Sequence, residues 1–141
     1  MSVDSARAQD AAAIHALLQS CGLPTEDLDG VSGFLVAKNG AAFLGTIALE
    51  GAGDARLLRS LAVRSEARGK GVARALCEPL LLRARSTGVK KVYLMTTDSQ
   101  GFFRKLGFTD APRESAPEAI RRTAQFRTLC PASATLMVRE P

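Results

Sequence analysis

The chain has 141 residues, 46% of them hydrophobic and 23% charged, with a formal net charge of +5. That is ordinary globular usage, enough to build a core, and it excludes disordered, collagen-like and disulfide-framework classes. No apolar run approaches the ~20 residues of a membrane span, and the opening MSVDSARAQD lacks a signal-peptide pattern. The expectation is no membrane association and a cytoplasmic location, with Cys21, Cys77 and Cys130 reduced.

Residues 9–20 read as a helix, with Ile14, Leu17, Leu18 and Cys21 at helical spacing. Gly22, Leu23 and Pro24 end it, and a short turn through Glu26, Asp27 and Leu28 follows. Residues 34–37 are strand-like. Asn39-Gly40 predicts a hairpin, because both residues tolerate positive φ. Residues 42–50 form the return strand, residues 51–54 a turn, and residues 55–63 a third antiparallel strand. The texture then changes. Arg68-Gly69-Lys70-Gly71 opens a long helical pattern that Gly88 ends, with Pro79 inside it as a kink or a cost. Residues 92–97 suit a buried strand. A short helix from Asp98 or Ser99 runs to Leu106, capped by Gly107. Residues 108–111 predict a strand, residues 117–126 a helix, and residues 134–139 a last strand. The order specifies a single α/β (α+β) domain over residues 1–141, with a mixed sheet of about six to seven strands flanked by helices.

Charge is unevenly spread. Residues 1–55 hold two basic and seven acidic residues, and the remainder holds 17 basic and 7 acidic. The densest run is Arg56, Arg59, Arg64, Arg68, Lys70 and Arg74, a field that favours an anionic ligand. With one Tyr, no Trp and no interleaved aromatics, a phosphorylated small molecule fits better than nucleic acid. The strand–glycine turn–helix at residues 57–73 presents unpaired amides and the positive end of a helix dipole, which is a phosphate site. A phosphate-binding loop of the Walker type needs Ser or Thr after Lys70, where Gly71 stands. A dinucleotide fingerprint needs Gly or Ala where Arg74 stands.

The residues Arg68-x-x-Gly71-x-Ala73 resemble the Q/R-x-x-G-x-G/A motif of the GNAT N-acetyltransferase superfamily, and residues 102–108, FFRKLGF, resemble its aromatic-tyrosine-x-x-leucine-glycine-phenylalanine signature. The resemblance implies acetyl-coenzyme A as co-substrate and no metal. The loop amides of Arg68, Gly69, Lys70, Gly71, Val72 and Ala73 would hold its pyrophosphate. Leu61, Ala62 and Val63 would offer backbone groups to its pantetheine arm, and Phe103 would contact it. Residues 57–63 (LLRSLAV), the Leu23-Pro24 turn and residues 126–134 (FRTLCPASA) are similar to N-acetyltransferases of arsenic-resistance operons. These are similar in turn to enzymes that acetylate phosphinothricin and its arsenic analogue. The partner implied is a small-molecule amine. An exposed strand edge would suit a homodimer.

Direct transfer requires a deprotonated amine, a polarised carbonyl and a stabilised thiolate. The superfamily's usual tyrosine acid falls at Phe103. Water, Thr96, Thr97 and Ser99 remain, and Ser99 is taken as a catalytic candidate and Thr96 as a substrate contact. Glu50, at a strand end, is either the base or a solvated turn carboxylate. Arg59, beside Ser60, either pairs with a substrate carboxylate or forms an ion pair with Glu50 or Asp54. Ser60 is placed with Arg59 against the substrate. His15 reads as a surface or packing residue. A different class, a thiol-based arsenite binder, would need Cys21, Cys77 and Cys130 to meet, and a coenzyme-binding module without turnover would explain Phe103.

Overall fold

A computed structural model describes residues 1–28, 31, 33–129 and 131–141. Its elements are β1 (Ser2–Ser5), α1 (Ala11–Ser20), β2 (Phe34–Asn39), β3 (Ala42–Glu50), β4 (Ala55–Val63), α2 (Val72–Ser86), β5 (Lys91–Thr96), α3 (Gln100–Lys105), β6 (Thr109–Ala111), α4 (Glu118–Arg121) and β7 (Thr135–Arg139). The described residues form one mixed sheet of seven strands, ordered β1-β2-β3-β4-β5-β7-β6. β1 to β4 form an antiparallel run, each paired to the next, with Gly40 at φ 62° in the expected hairpin turn. β4 and β5 are parallel, and such a pair needs a crossover, which α2 supplies. β7 inserts antiparallel between β5 and β6. The mixed α/β class and strand number agree with the sequence.

The sheet separates two apolar layers. Leu35, Ile47, Leu58 and Leu94 face α2 and α3 through Leu76, Leu80 and Phe103. On the other face Val36 and Ala62 meet Ile14, Leu17 and Leu18 of α1, while Leu57, Tyr93 and Leu136 meet Ile120 of α4. Gly45 of β3 lies so close to its neighbours that a Cβ there would sit 2.8 Å from the Ala62 carbonyl oxygen and 3.2 Å from Leu76 Cδ1. The glycine therefore lets β3, β4 and α2 close on one another.

Several boundaries differ from the sequence reading. β1 is new, because four mostly polar residues at a sheet edge carry no apolar alternation. α1 begins only at Ala11. Residues Ala8–Asp10 form a 3-10 turn, held where the Asp10 carboxylate accepts the Arg7 amide and Lys38 Nζ, each at 2.8 Å. The helix expected over residues 117–126 is one turn long. Thr123 Oγ1 donates to the Ile120 carbonyl at 2.7 Å and accepts the Phe126 amide at 3.3 Å, so the side chain replaces helical pairing. The chain resumes as a π-helical turn over Gln125–Leu129. α2 runs through Pro79 unbroken, although proline has no amide to give the Ala75 carbonyl.

Candidate active site

β4 carries an irregularity that sets the site. Ala48 pairs with Arg59 and Thr46 with Ala62, so Ile47 alone faces the pair Ser60 and Leu61. This is a β-bulge, and Ser60, at φ 58°, is the non-glycine residue with positive φ among the described residues. The extra residue inverts the alternation: Leu58 faces α2, and beyond the bulge Leu61 and Val63 do so in place of Ser60 and Ala62. β4 and β5 pair only over residues 55–57 and 91–93. Beyond that point β5 keeps to β7, and the two parallel strands diverge.

The divergence opens a cleft of about 530 Å³. Its β4 wall is formed by Arg59, Ser60, Leu61, Ala62 and Val63, and its β5 side by Thr96, Asp98, Ser99, Phe102 and Phe103. Cys21, Leu23 and Pro24 come from the end of α1, Arg68 and Ala73 from the glycine loop, and Gln125 from the π-helical turn. A mostly apolar cleft with a few converging polar groups is the ordinary form of a small-molecule site.

At one end lies the glycine loop. Gly69 and Gly71 have φ 76° and 81°, and a Cβ on either would meet nothing within 4 Å. Gly71 is the N-cap of α2. The amides of residues 69–74 find no acceptor among the described residues, so they point a set of free donors and the helix dipole outward. These residues fit a phosphate-bearing ligand. Gly69, Lys70, Gly71 and Val72 do not line the cleft itself; Lys70 is exposed and Val72 is buried in the core on the α2 side. Arg68 also braces the wall, because its Nε donates to the Val63 carbonyl at 3.1 Å and its Nη2 to Cys21 Sγ at 3.5 Å. The Val63 carbonyl, expected to serve a pantetheine arm, is thus already bonded.

Arg59, part of the β4 wall, holds an ion cluster with two carboxylates outside the cleft lining. Arg59 has a fully buried side chain and donates through Nη2 to Asp27 Oδ1 at 2.7 Å and through Nη1 to Asp27 Oδ2 and to Glu50 Oε1, the last at 2.8 Å. Its Nε donates to Ser60 Oγ at 3.1 Å. Burial works to lower the Arg59 pKa, but the bonds to Asp27 and Glu50 outweigh it and the pKa is raised. The Arg59 hydrogen bonds hold Asp27 below the usual carboxylate range, against burial. Two site expectations change here. The Arg59 guanidinium spends four of its five N–H donors on Asp27, Glu50 and Ser60, which leaves no pair of donors for a bidentate clamp on a substrate carboxylate. The Glu50 carboxylate is committed to Arg59 and is not part of the cleft lining. Asp54, the other partner considered, instead faces Lys90 at 3.8 Å. Asp27 carries no sequence signal for this role, since nothing local marks a turn acid as the partner of a residue 32 positions away.

On the β5 side, Ser99 is the N-cap residue of α3 without a side-chain cap bond, and Thr96 Oγ1 accepts the Ser99 amide at 3.0 Å. Ser99 Oγ bonds Asp98 Oδ1 at 3.1 Å. Phe103 is buried edge-on against Phe102 and Phe108, and no hydroxyl stands where an acid was expected. Tyr93 packs on the opposite face with Leu57 and Leu136. His15 is exposed on α1. Gln125, buried and lining the cleft, has no sequence signal beyond a polar residue in a helical pattern. The three-thiol reading is not supported: Cys77 is buried against α2's side of the sheet and Cys21 belongs to the α1 side, while Cys130 lies outside the described residues. No cluster of metal-ligating side chains is found among the described residues, nor any helix long and apolar enough to cross a membrane.

Residues 30–110 match the family model described as the acetyltransferase (GNAT) domain. The chain belongs to the GNAT family. A relative from Chlorobaculum tepidum, an uncharacterized N-acetyltransferase, is 38% identical over 74 residues, 52% of this chain and 45% of that protein. The amino-acid acetyltransferase of Ralstonia nicotianae is 29% identical over 97 residues, 65% of this chain and 21% of that one. The chain thus spans less than half the length of these curated relatives. The GNAT fold also superposes on a Mycobacterium tuberculosis protein solved in complex with CoA, with a TM-score of 0.84, 23% identity, and coverage of 100% of this chain and 99% of that one.

Proposed function

We propose that this GNAT chain is an acetyl-CoA-dependent N-acetyltransferase acting on the amino group of a small molecule. The observation that carries the reading is the adjacency of the free amides of residues 69–74 to the cleft between the diverged strands β4 and β5, which Arg68 and Ala73 of the same loop line. The amides hold the diphosphate by direct hydrogen bonding and by the α2 dipole, with no side chain at Gly69 or Gly71 in the way. The acyl arm lies along residues 61–63 toward the bulge. The coenzyme supplies an activated acetyl thioester. The chain's own part is to orient it, to exclude water with the apolar walls of Leu61, Phe102 and Phe103, and to stabilise charge on the departing sulfur. A thiol has a pKa of about 8.5, so it departs as thiolate near neutral pH without a strong acid, which makes Phe103 compatible with turnover.

For the acceptor we take an amino acid or amino-acid analogue, the class named for the Ralstonia relative. The resemblance of residues 126–134 to arsenic-resistance acetyltransferases extends that class to arsenic- and phosphorus-bearing analogues. The missing tyrosine favours, as a second reading, a coenzyme-binding module without turnover. Calorimetry of CoA into the wild type and into Gly71→Trp tests the carrier site. Binding by the first and loss of affinity by the second is expected, and equal affinities would place the phosphates elsewhere. Thiol release from acetyl-CoA across a panel of amino acids, phosphinothricin and aliphatic amines then separates the enzyme from the silent module and ranks the acceptors.

A further inference from the structure

Phe103 leaves the departing sulfur with no phenolic donor, and the β4 bulge offers a replacement. Ser60 is only 6% exposed, yet it lines the cleft. Its Oγ accepts the Arg59 Nε–H at 3.1 Å, and among the described residues its own hydroxyl proton enters no hydrogen bond. A buried hydroxyl with an unused donor is costly unless something in the cleft takes it. The positive φ of Ser60 is a backbone state that non-glycine residues seldom hold without a functional reason. The bulge keeps this side chain out of the regular alternation of the strand and beside the guanidinium.

We propose that Ser60 is a catalytic hydrogen-bond donor to the leaving sulfur, with Arg59 as its positioning residue. The inference rests on the acetyltransferase reading above. As the amine nitrogen bonds the carbonyl carbon, the carbon–sulfur bond breaks and its electron pair stays on sulfur. The amine proton passes to water. The thiolate accepts the Ser60 O–H, and Ser60 keeps its proton, because an alkyl hydroxyl is a far weaker acid than a thiol. Arg59 strengthens this donation: a charged N–H bonded into Oγ polarises the O–H on its other side. Asp27 and Glu50 fix the guanidinium so that Nε faces Ser60. The other cleft hydroxyls are weaker candidates. Thr96 Oγ1 accepts only a neutral amide, and Ser99 Oγ is engaged with Asp98. The charged groups lining the cleft are Arg59, Arg68 and Asp98.

The test needs no acceptor. CoA is bound to wild type, Ser60→Ala and Ser60→Gly, and its thiolate is titrated by ultraviolet absorbance, with circular dichroism confirming that each variant is folded. In the wild type the bound thiol should titrate below its free value of about 8.5, and both variants should raise it by about one to two pH units, the equivalent of one hydrogen bond to a charged group. Glycine relieves the left-handed backbone, so an equal rise in Ser60→Gly ties the effect to the hydroxyl and keeps the test valid should Ser60→Ala fail to fold. An unchanged thiol pKa in Ser60→Gly overturns the proposal, as does a rise in Thr96→Val without one in the Ser60 variants. Failure of the wild type to bind CoA at all would overturn the acetyltransferase reading as well, whereas binding with an unshifted thiol would overturn this proposal alone.

Discussion

Replacing Arg59 by methionine tests the ion cluster it forms with two carboxylates. The Arg59 side chain is fully buried, and its carboxylate partners Asp27 and Glu50 are 18% and 19% exposed. Methionine matches the stem but leaves two carboxylates facing each other with no cation. Removing one partner of a buried pair costs about 3–5 kcal/mol, chiefly through the charge left unpaired. At roughly 3 °C of melting temperature per kcal/mol for a chain of this size, the loss is on the order of 10–15 °C at pH 7. The pH dependence has a definite sign. Asp27 is depressed in the folded state by its Arg59 hydrogen bonds. Its contribution is therefore fully present above the unfolded carboxylate pKa of about 3.9 and is lost as pH falls through the depressed folded value. In Arg59→Met that depression is gone, so the gap between wild type and variant should be widest near neutrality and should narrow below about pH 4. Urea denaturation of both proteins across that range measures it. Arg59→Lys should recover only part of the loss, since an ammonium cannot hold Asp27 bidentately and reach Glu50 and Ser60 together. A loss in Arg59→Met under about 1 kcal/mol at pH 7, the range of an exposed pair, would refute the claim that the cluster is desolvated.

Two further outcomes follow from packing. Gly45→Val should lower stability by about 1–3 kcal/mol or more, because its Cβ would fall 2.8 Å from the Ala62 carbonyl oxygen, which is backbone and cannot step aside; thermal melting reads it, and a neutral effect would mean β3 and β4 slide freely. Burial pushes the Cys77 thiol up to about 12, so a thiol reagent at a mildly alkaline pH should leave Cys77 unmodified in the native chain and modify it only on unfolding, as peptide mass mapping would show.

Much of this chain is legible as a string of residues. β3 and β4 have the bounds that their apolar runs and the Asn39-Gly40 turn specify, because hairpins are local and turn chemistry sets their register. The free amides at Gly69 and Gly71 are likewise legible, since a glycine-rich turn ahead of a helical pattern constrains its own backbone. The 117–126 segment misleads because a threonine side chain at residue 123 competes with helical bonding, a contest that periodicity does not register. Arg59 and Glu50 can be named from the sequence but not assigned. Their partners depend on which side chains meet across 9 and 32 positions of chain, and only the folded sheet brings Asp27 over β4. The bulge is also invisible: that Ile47 faces both Ser60 and Leu61 is a property of two strands in register. Local backbone preference thus determined the glycine turn ahead of α2, and tertiary packing decided which of the neighbouring polar groups line the cleft and which are bound to one another.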